Sequence, residues 1–251
     1  MRSLILILLC CTGHFAATAM LNMALASSDS FAQIELQTFP DSAATQLAAL
    51  PADKPLYVKM WASWCKPCME QMPHFQALYQ QYGDKVNFVA INIDINEKAE
   101  AIDAVIKQFG LTMPVWLDTK GQLAVALGLV GTPYSVLINS QLQQVYTSHE
   151  SDAVLDGFLQ RLAAGQQLPA APSAVLTATA QQKLLAPYLT GEHTLFFTAT
   201  WCDWYLADSR PAMSKQCIAA QQQLNSLAAK LKGEPLKVIV NHLWTDCMGS
   251  S

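Results

Sequence analysis

The order of apolar and polar positions divides most of the chain into alternating short strands and amphipathic helices. Residues 56–62 read as a strand, and 86–93 as a continuous apolar strand of the kind buried on both faces. Between them, 67–82 carry apolar positions at helical spacing and stop at Gly83. The pattern continues with a helix over 97–109 ended by Gly110, a strand at 113–117 and a short helix at 122–127. Strands at 134–138 and 143–148 and a closing helix at 152–163 follow. Ahead of these, 31–36 read as a short strand and 42–50 as a short helix ended by Pro51. Such alternation predicts an α/β sheet with helices on both faces.

Beyond residue 163 the pattern weakens and then partly repeats. Residues 164–174 read as a linker stiffened by two prolines and open to proteolysis. A helix is expected at 181–188, a strand at 194–199, a long helix at 213–231 and a strand at 236–240. Asp208 or Ser209 stands near the cap of the long helix, with Pro211 in its first turn. Trp61-Ala62-Ser63-Trp64-Cys65 lies between a strand and a helix, and so does Thr198-Ala199-Thr200-Trp201-Cys202. The echo has Tyr205 where the first copy has Cys68. It also supplies no counterpart of Gly131-Thr132-Pro133 or of the final strand pair. Residues 175–251 are therefore expected to be an incomplete, non-catalytic half that docks on the first domain, pairs with another chain or, the favoured reading, is cut from a longer gene product that completed it.

The N-terminus reads as an export signal. Arg2 precedes the apolar run Leu4 to Cys11, and Ala24-Leu25-Ala26 offers a small-x-small cleavage site, so 1–26 is expected to be removed. Two other readings stay open. Residues 4–26 are long enough for a membrane anchor, though Gly13, His14 and Asn22 weaken it, and Leu8-Leu9-Cys10 faintly resembles a lipoprotein site. Export means an oxidising compartment, where Cys65, Cys68, Cys202, Cys217 and Cys247 must pair, react or bind metal.

Composition narrows the field. A 52% apolar and 14% charged chain is not disordered. A net charge of −4 without any basic run speaks against nucleic acid and anionic membrane surfaces as partners.

The chemistry concentrates at Trp64-Cys65-Lys66-Pro67-Cys68. A Cys-x-x-Cys that opens a helix after a buried strand places its first sulfur among unpaired amides at the positive end of the helix dipole. Cys65 is thus the candidate nucleophile and Cys68, one turn further in, the resolving thiol. Lys66 adds a positive charge, and Pro67 pre-sets the first turn. Half of a zinc site is the other reading of such a pair, but no second Cys-x-x-Cys exists. No metal and no cofactor beyond the Cys65–Cys68 couple is expected. Met69, Met72 and His74 follow closely, and with the thiols they form a soft ligand set suited to Cu(I), an alternative function class. Both methionines are more simply helix packing, and His74 a surface position. His149, His193 and His242 read as isolated surface or structural residues.

These motifs, with Met72-Pro73, Val89-Ala90-Ile91-Asn92-Ile93-Asp94 and Gly131-Thr132-Pro133-Tyr134, resemble the thioredoxin superfamily. The nearer resemblance is to its exported TlpA/ResA-like thiol–disulfide oxidoreductases, whose helix–strand insert is matched by 97–117. The resemblance covers about 31–163. It implies a thioredoxin fold, a central mixed sheet flanked by helices with a TlpA-like insert, followed here by a truncated thioredoxin-like α/β segment. It further implies that Pro133 is cis and packs against the cysteine pair, and that Thr132 and Trp64 border an extended protein substrate. Protein disulfides would be the substrates, and a membrane thiol donor the source of electrons.

Two positions depart from the family. Where thioredoxins carry an acid, this chain has Lys59, on the strand face shared by Tyr57 and Trp61. A buried cation there would favour thiolate and make the pair more oxidising; alternatively Lys59 snorkels to the surface. Where ResA-like proteins often carry Glu, this chain has Gln71, so an acid tuning the thiols is in doubt. Cys202 and Cys217 are candidates for a structural disulfide that leaves Cys247 unpaired.

Overall fold

The structure, a computed structural model, describes residues 31–172, 178–191, 194–199, 202–204, 206–208, 210–230 and 236–241. The expected leader, Trp201, Tyr205, Cys247, His193 and His242 lie outside the described residues.

Strand β3 (Leu56–Trp61) is the axis of the molecule, and all six of its residues are buried. It pairs in parallel with β4 (Asn87–Asn92) and antiparallel with β6 (Tyr134–Ile138). Parallel neighbours need a long crossover, and helix α1 (Lys66–Tyr82) supplies it. The sheet is completed by β1 (Leu36–Thr38), β2 (Ala44–Thr45), β5 (Val115–Leu117) and β7 (Gln144–Ser148), in the order β2-β1-β5-β4-β3-β6-β7. Helix α2 (Ala99–Phe109) leads into β5, α3 (Gln122–Ala126) precedes β6, and α4 (Ala153–Ala163) follows β7. This is the thioredoxin fold, with α2 and β5 as the expected insert.

The two faces of β3 bury different cores. Tyr57 and Trp61 pack with Cys68, Met72 and Phe75 of α1 and with Leu155 and Leu159 of α4. Leu56, Val58 and Met60 pack on the other side with Trp116, Leu123 and Leu127. The period-2 alternation of a strand produces this division, and each large apolar side chain so buried contributes about 1.5–3 kcal/mol.

Three expected features differ. Residues 31–33 are a turn, and the strand begins only at Leu36. Residues 42–50 are not a helix: Leu36 pairs with Thr45 and Gln37 with Ala44, and a 3-10 turn, Leu47–Ala49, follows. Nine residues are too few for a stable isolated helix, whereas pairing with β1 satisfies the same backbone groups. The expected linker is not free up to residue 172. Leu168 is buried, its carbonyl accepts from Asn139 Nδ2 at 3.3 Å, and the Ala171 N–H donates to the Gln144 carbonyl at 2.7 Å.

After α5 (Ala178–Leu185), β8 (Thr194–Ala199) and β9 (Leu236–Asn241) form a separate two-stranded parallel sheet connected through α6 (Pro211–Lys230). Helix α6 starts at Pro211, whose missing N–H is no loss at a first helical position. Among the described residues, no helix is long and apolar enough to cross a membrane.

Candidate active site

Strand β3 ends at Trp61, and a turn carries the chain to Cys65, whose backbone N–H donates to the Ala62 carbonyl at 3.1 Å. Cys65 is the N-cap of α1, and its sulfur accepts from the Cys68 N–H at 3.2 Å. That contact satisfies one of the orphan amides of the helix start and is the type that stabilises a thiolate. Cys65 and Cys68 are joined in a disulfide, with Cα atoms 5.2 Å apart. Lys66 is the first residue of α1 and exposed; Pro67 is the second and costs no intrahelical hydrogen bond there.

The Thr132–Pro133 peptide is cis, as the resemblance implies, and leads directly into β6. Pro133 is buried and Thr132 is partly exposed. His149, which the sequence presents as a surface or structural residue, holds this segment. Its Nδ1 lies 2.8 Å from the Pro133 carbonyl oxygen, and its ring lies against Tyr134.

Lys59 does not snorkel: it is fully buried. It stands opposite Ser135 in the antiparallel β3–β6 register, and directly opposed residues share a face. Its Nζ accordingly donates to Ser135 Oγ at 3.1 Å, and also to Gln71 Oε1. Ser135 in turn shares a 3.0 Å hydrogen bond with the Tyr57 hydroxyl, and Gln71 Nε2 donates to the His149 carbonyl at 3.0 Å. Burial pushes the Lys59 ammonium down to about 7, partly offset by the Glu150 carboxylate. Burial also holds the Tyr57 phenol well above its ordinary range. Gln71 is thus the uncharged partner of a buried cation.

Pattern reading alone missed a second network. Trp64 Nε1 donates to Asp94 Oδ2 at 2.7 Å. Glu97 accepts from the Ser63 N–H at 2.9 Å and from the Ser63 hydroxyl at 2.7 Å. Arg210, at the start of α6, places one nitrogen 2.6 Å from both carboxylates. A groove of about 470 Å³ lies between Trp64, Ala101 and Met213 at this junction. Asp94 and Glu97 could have been suspected, because the loop after β4 emerges beside the end of its parallel neighbour β3. Arg210 carries no such signal.

Of the soft ligand set, Met72 is fully buried in the core and His74 Nε2 lies 2.8 Å from Asp156 Oδ1. No observation favours a copper site. Among the described residues, no group of three or more His, Cys, Asp or Glu is placed to hold a metal ion. Cys202 and Cys217 form a disulfide that ties the turn before α6 to the helix.

Comparison with known proteins adds an independent finding. A family model described as Redoxin matches residues 26–154. The thiol-disulfide oxidoreductase ResA of Oceanobacillus iheyensis is 31% identical over 129 residues, 50% of this chain and 66% of that protein. The sporulation thiol-disulfide oxidoreductase A of Bacillus subtilis is 34% identical over 83 residues, 32% of this chain and 50% of that protein. The chain thus spans less than two thirds of the length of these curated relatives. Among solved structures, a secreted Mycobacterium tuberculosis disulfide oxidoreductase homologous to E. coli DsbE aligns with a TM-score of 0.46 and 20% identity, over 54% of this chain and 98% of that one.

Proposed function

The chain belongs to the redoxin family, and from that membership we propose that it is an exported thiol–disulfide oxidoreductase that reduces protein disulfides. The observation that carries this reading is the Cys65–Cys68 disulfide at the start of α1. In the reduced protein, the Cys65 thiolate attacks one sulfur of a substrate disulfide, forms a mixed disulfide and releases the other sulfur as a thiolate. Cys68, deprotonated, then attacks Cys65 Sγ, restores the Cys65–Cys68 bond and releases the second substrate thiolate. Two electrons pass to the substrate, and the two cysteine protons neutralise its thiolates.

In this reading Lys66 and the amides at the start of α1 favour the attacking thiolate, and Pro67 shapes that turn. Lys59, when protonated, acts in the same direction from beneath the pair. Trp64, Thr132 and the cis Pro133 border the substrate chain. The reaction needs no cofactor beyond the two cysteines. A membrane thiol donor returns the pair to the dithiol, and residues 1–26 direct export. Residues 31–163 are the exchange unit, and 175–251 lack a resolving thiol of their own.

The test is reduction of insulin by dithiothreitol, which the protein should accelerate and Cys65→Ser should return to the uncatalysed rate. Trapping with Cys68→Ala in the exporting cell should collect mixed-disulfide partners. A pair recovered fully oxidised from that cell, with the potential of a strong oxidant, would reverse the assigned direction.

A further inference from the structure

We propose that Arg210 is a positioning residue of the thiol-exchange centre, holding the Ser63–Trp64 turn that presents Cys65 through its paired contacts with Asp94 and Glu97. The proposal rests on the reading of Cys65 and Cys68 as the exchanging pair. It makes the C-terminal segment part of that centre, although Tyr205 stands there in place of a resolving cysteine.

The geometry is direct. Both carboxylates lie within hydrogen-bond distance of the two residues before Cys65, Asp94 through the Trp64 indole and Glu97 through the Ser63 backbone and hydroxyl. One guanidinium nitrogen of Arg210, 113 residues from Glu97 in sequence, sits 2.6 Å from each of them. The side chains of Arg210, Asp94 and Glu97 are only 20%, 12% and 3% exposed. Two carboxylates that share one nitrogen are close enough to repel strongly, and Glu97 has almost no water to compensate. Without the cation, the pair that holds Ser63 and Trp64 would be driven apart.

The anchor behind Arg210 is built. Its N–H donates to the Leu206 carbonyl at 2.8 Å, and Leu206 is buried. The Ser214 hydroxyl donates to the Asp203 carbonyl, and the Cys202–Cys217 disulfide closes the same turn on α6. The charged groups at this junction are Asp94, Glu97 and Arg210, with Lys98 on the rim of the groove. Arg210 offsets one of two negative charges held against the two residues that precede a thiol that must ionise, so it favours the Cys65 thiolate and with it the dithiol form.

The experiment uses the full chain with glutathione as the exchange partner. It reads the Cys65 thiol pKa by thiolate absorbance and the position of the dithiol–disulfide equilibrium. Arg210→Gln should weaken the thiol acid about tenfold and move the equilibrium about tenfold towards the disulfide, about 30 mV. Arg210→Lys should recover part of both, since an ammonium keeps the charge but is a more strongly hydrated head on a different stem. Adding Asp94→Asn to Arg210→Gln should recover most of the shift, and Asp94→Asn alone should move both readings the opposite way. This last variant tests the idea even if Arg210→Gln unfolds the segment. An Arg210→Gln protein with wild-type values overturns the proposal. So does a shift that Asp94→Asn cannot reverse, or faster insulin reduction with an unchanged thiol pKa, which would mark the segment as a mere cover. A wild-type pair that does not exchange with glutathione would instead remove the thiol-exchange reading itself.

Discussion

The two halves of the molecule start from a similar local sequence and pair their first cysteine differently. In each, a strand runs into Trp-Cys and a helix, and the strand pairs in parallel with the next one over six registered positions. In the first half, Cys65 finds Cys68 one helical turn away, and β6 lies on the other side of β3 with the cis Thr132–Pro133 peptide at its head. In the second, Cys202 bonds Cys217 in the middle of α6, and among the described residues β8 has no neighbour besides β9. A cysteine at the end of a strand is therefore not enough. In the proposed function, exchange needs a second thiol within one turn and an antiparallel strand that brings a substrate-facing segment alongside. The second copy keeps the frame and turns its sulfur into a tie.

The sharpest way to break this contrast is to remove each sulfur in turn. Cys65→Ser should lower catalysed insulin reduction at least a hundredfold, about 2.7 kcal/mol or more in barrier. The double change Cys202→Ser, Cys217→Ser should lower it less than fivefold. Comparable losses from both would show that the second disulfide takes part in exchange.

That double change should instead appear in stability. Opening a loop of about fifteen residues removes about 3 kcal/mol of chain-entropy stabilisation. Hydrogen exchange should find the amides of α6 less protected by that amount, with α1 unaffected. Equal loss of protection in α1 would mean that the two halves unfold as one unit.

The buried cation distinguishes the first half again. Lys59→Met should stabilise the protein by roughly 1–4 kcal/mol at neutral pH, because a desolvated charge is exchanged for apolar packing. The folded-state pKa of Lys59 is depressed from 10.5 to about 7. Between those values the unfolded chain binds more protons at this site, so wild-type stability rises with pH from about 7 to about 10.5. Below about 7 the cost is fully present. The advantage of Lys59→Met in denaturant titrations should therefore be largest at pH 7 and below and shrink towards pH 10.5. A constant advantage would show that Lys59 stays charged in the core. The same variant should move the dithiol–disulfide equilibrium towards the disulfide.

The smallest effect is expected at the partly exposed His74–Asp156 pair between α1 and α4. Asp156→Asn should cost no more than about 1 kcal/mol in denaturant unfolding and leave thiol exchange within twofold. A larger loss of activity would tie the α1–α4 contact to the site.

Much of the first half is legible in its sequence. The strand at 134–138 and the helix ended by Gly110 follow from periodicity and stop signals, which act over a few residues. The same holds for the N-cap position of Cys65, since a helix that opens at a Cys-x-x-Cys places its first sulfur before the first turn. Even the face of Lys59 follows from alternation along β3. What alternation cannot tell is whether that side chain bends out to water. The register that puts Ser135 opposite Lys59, and the packing of Gln71 over both, decide that it stays inside. His149 becomes a support for Pro133, and Arg210 closes a network with Asp94 and Glu97, through contacts spanning 16 and 113 residues. Local pattern encodes which backbone groups and faces must be satisfied nearby. Which distant polar group satisfies a buried charge depends on how the strands are ordered and how the last helix is laid against them, and only the tertiary structure decides that.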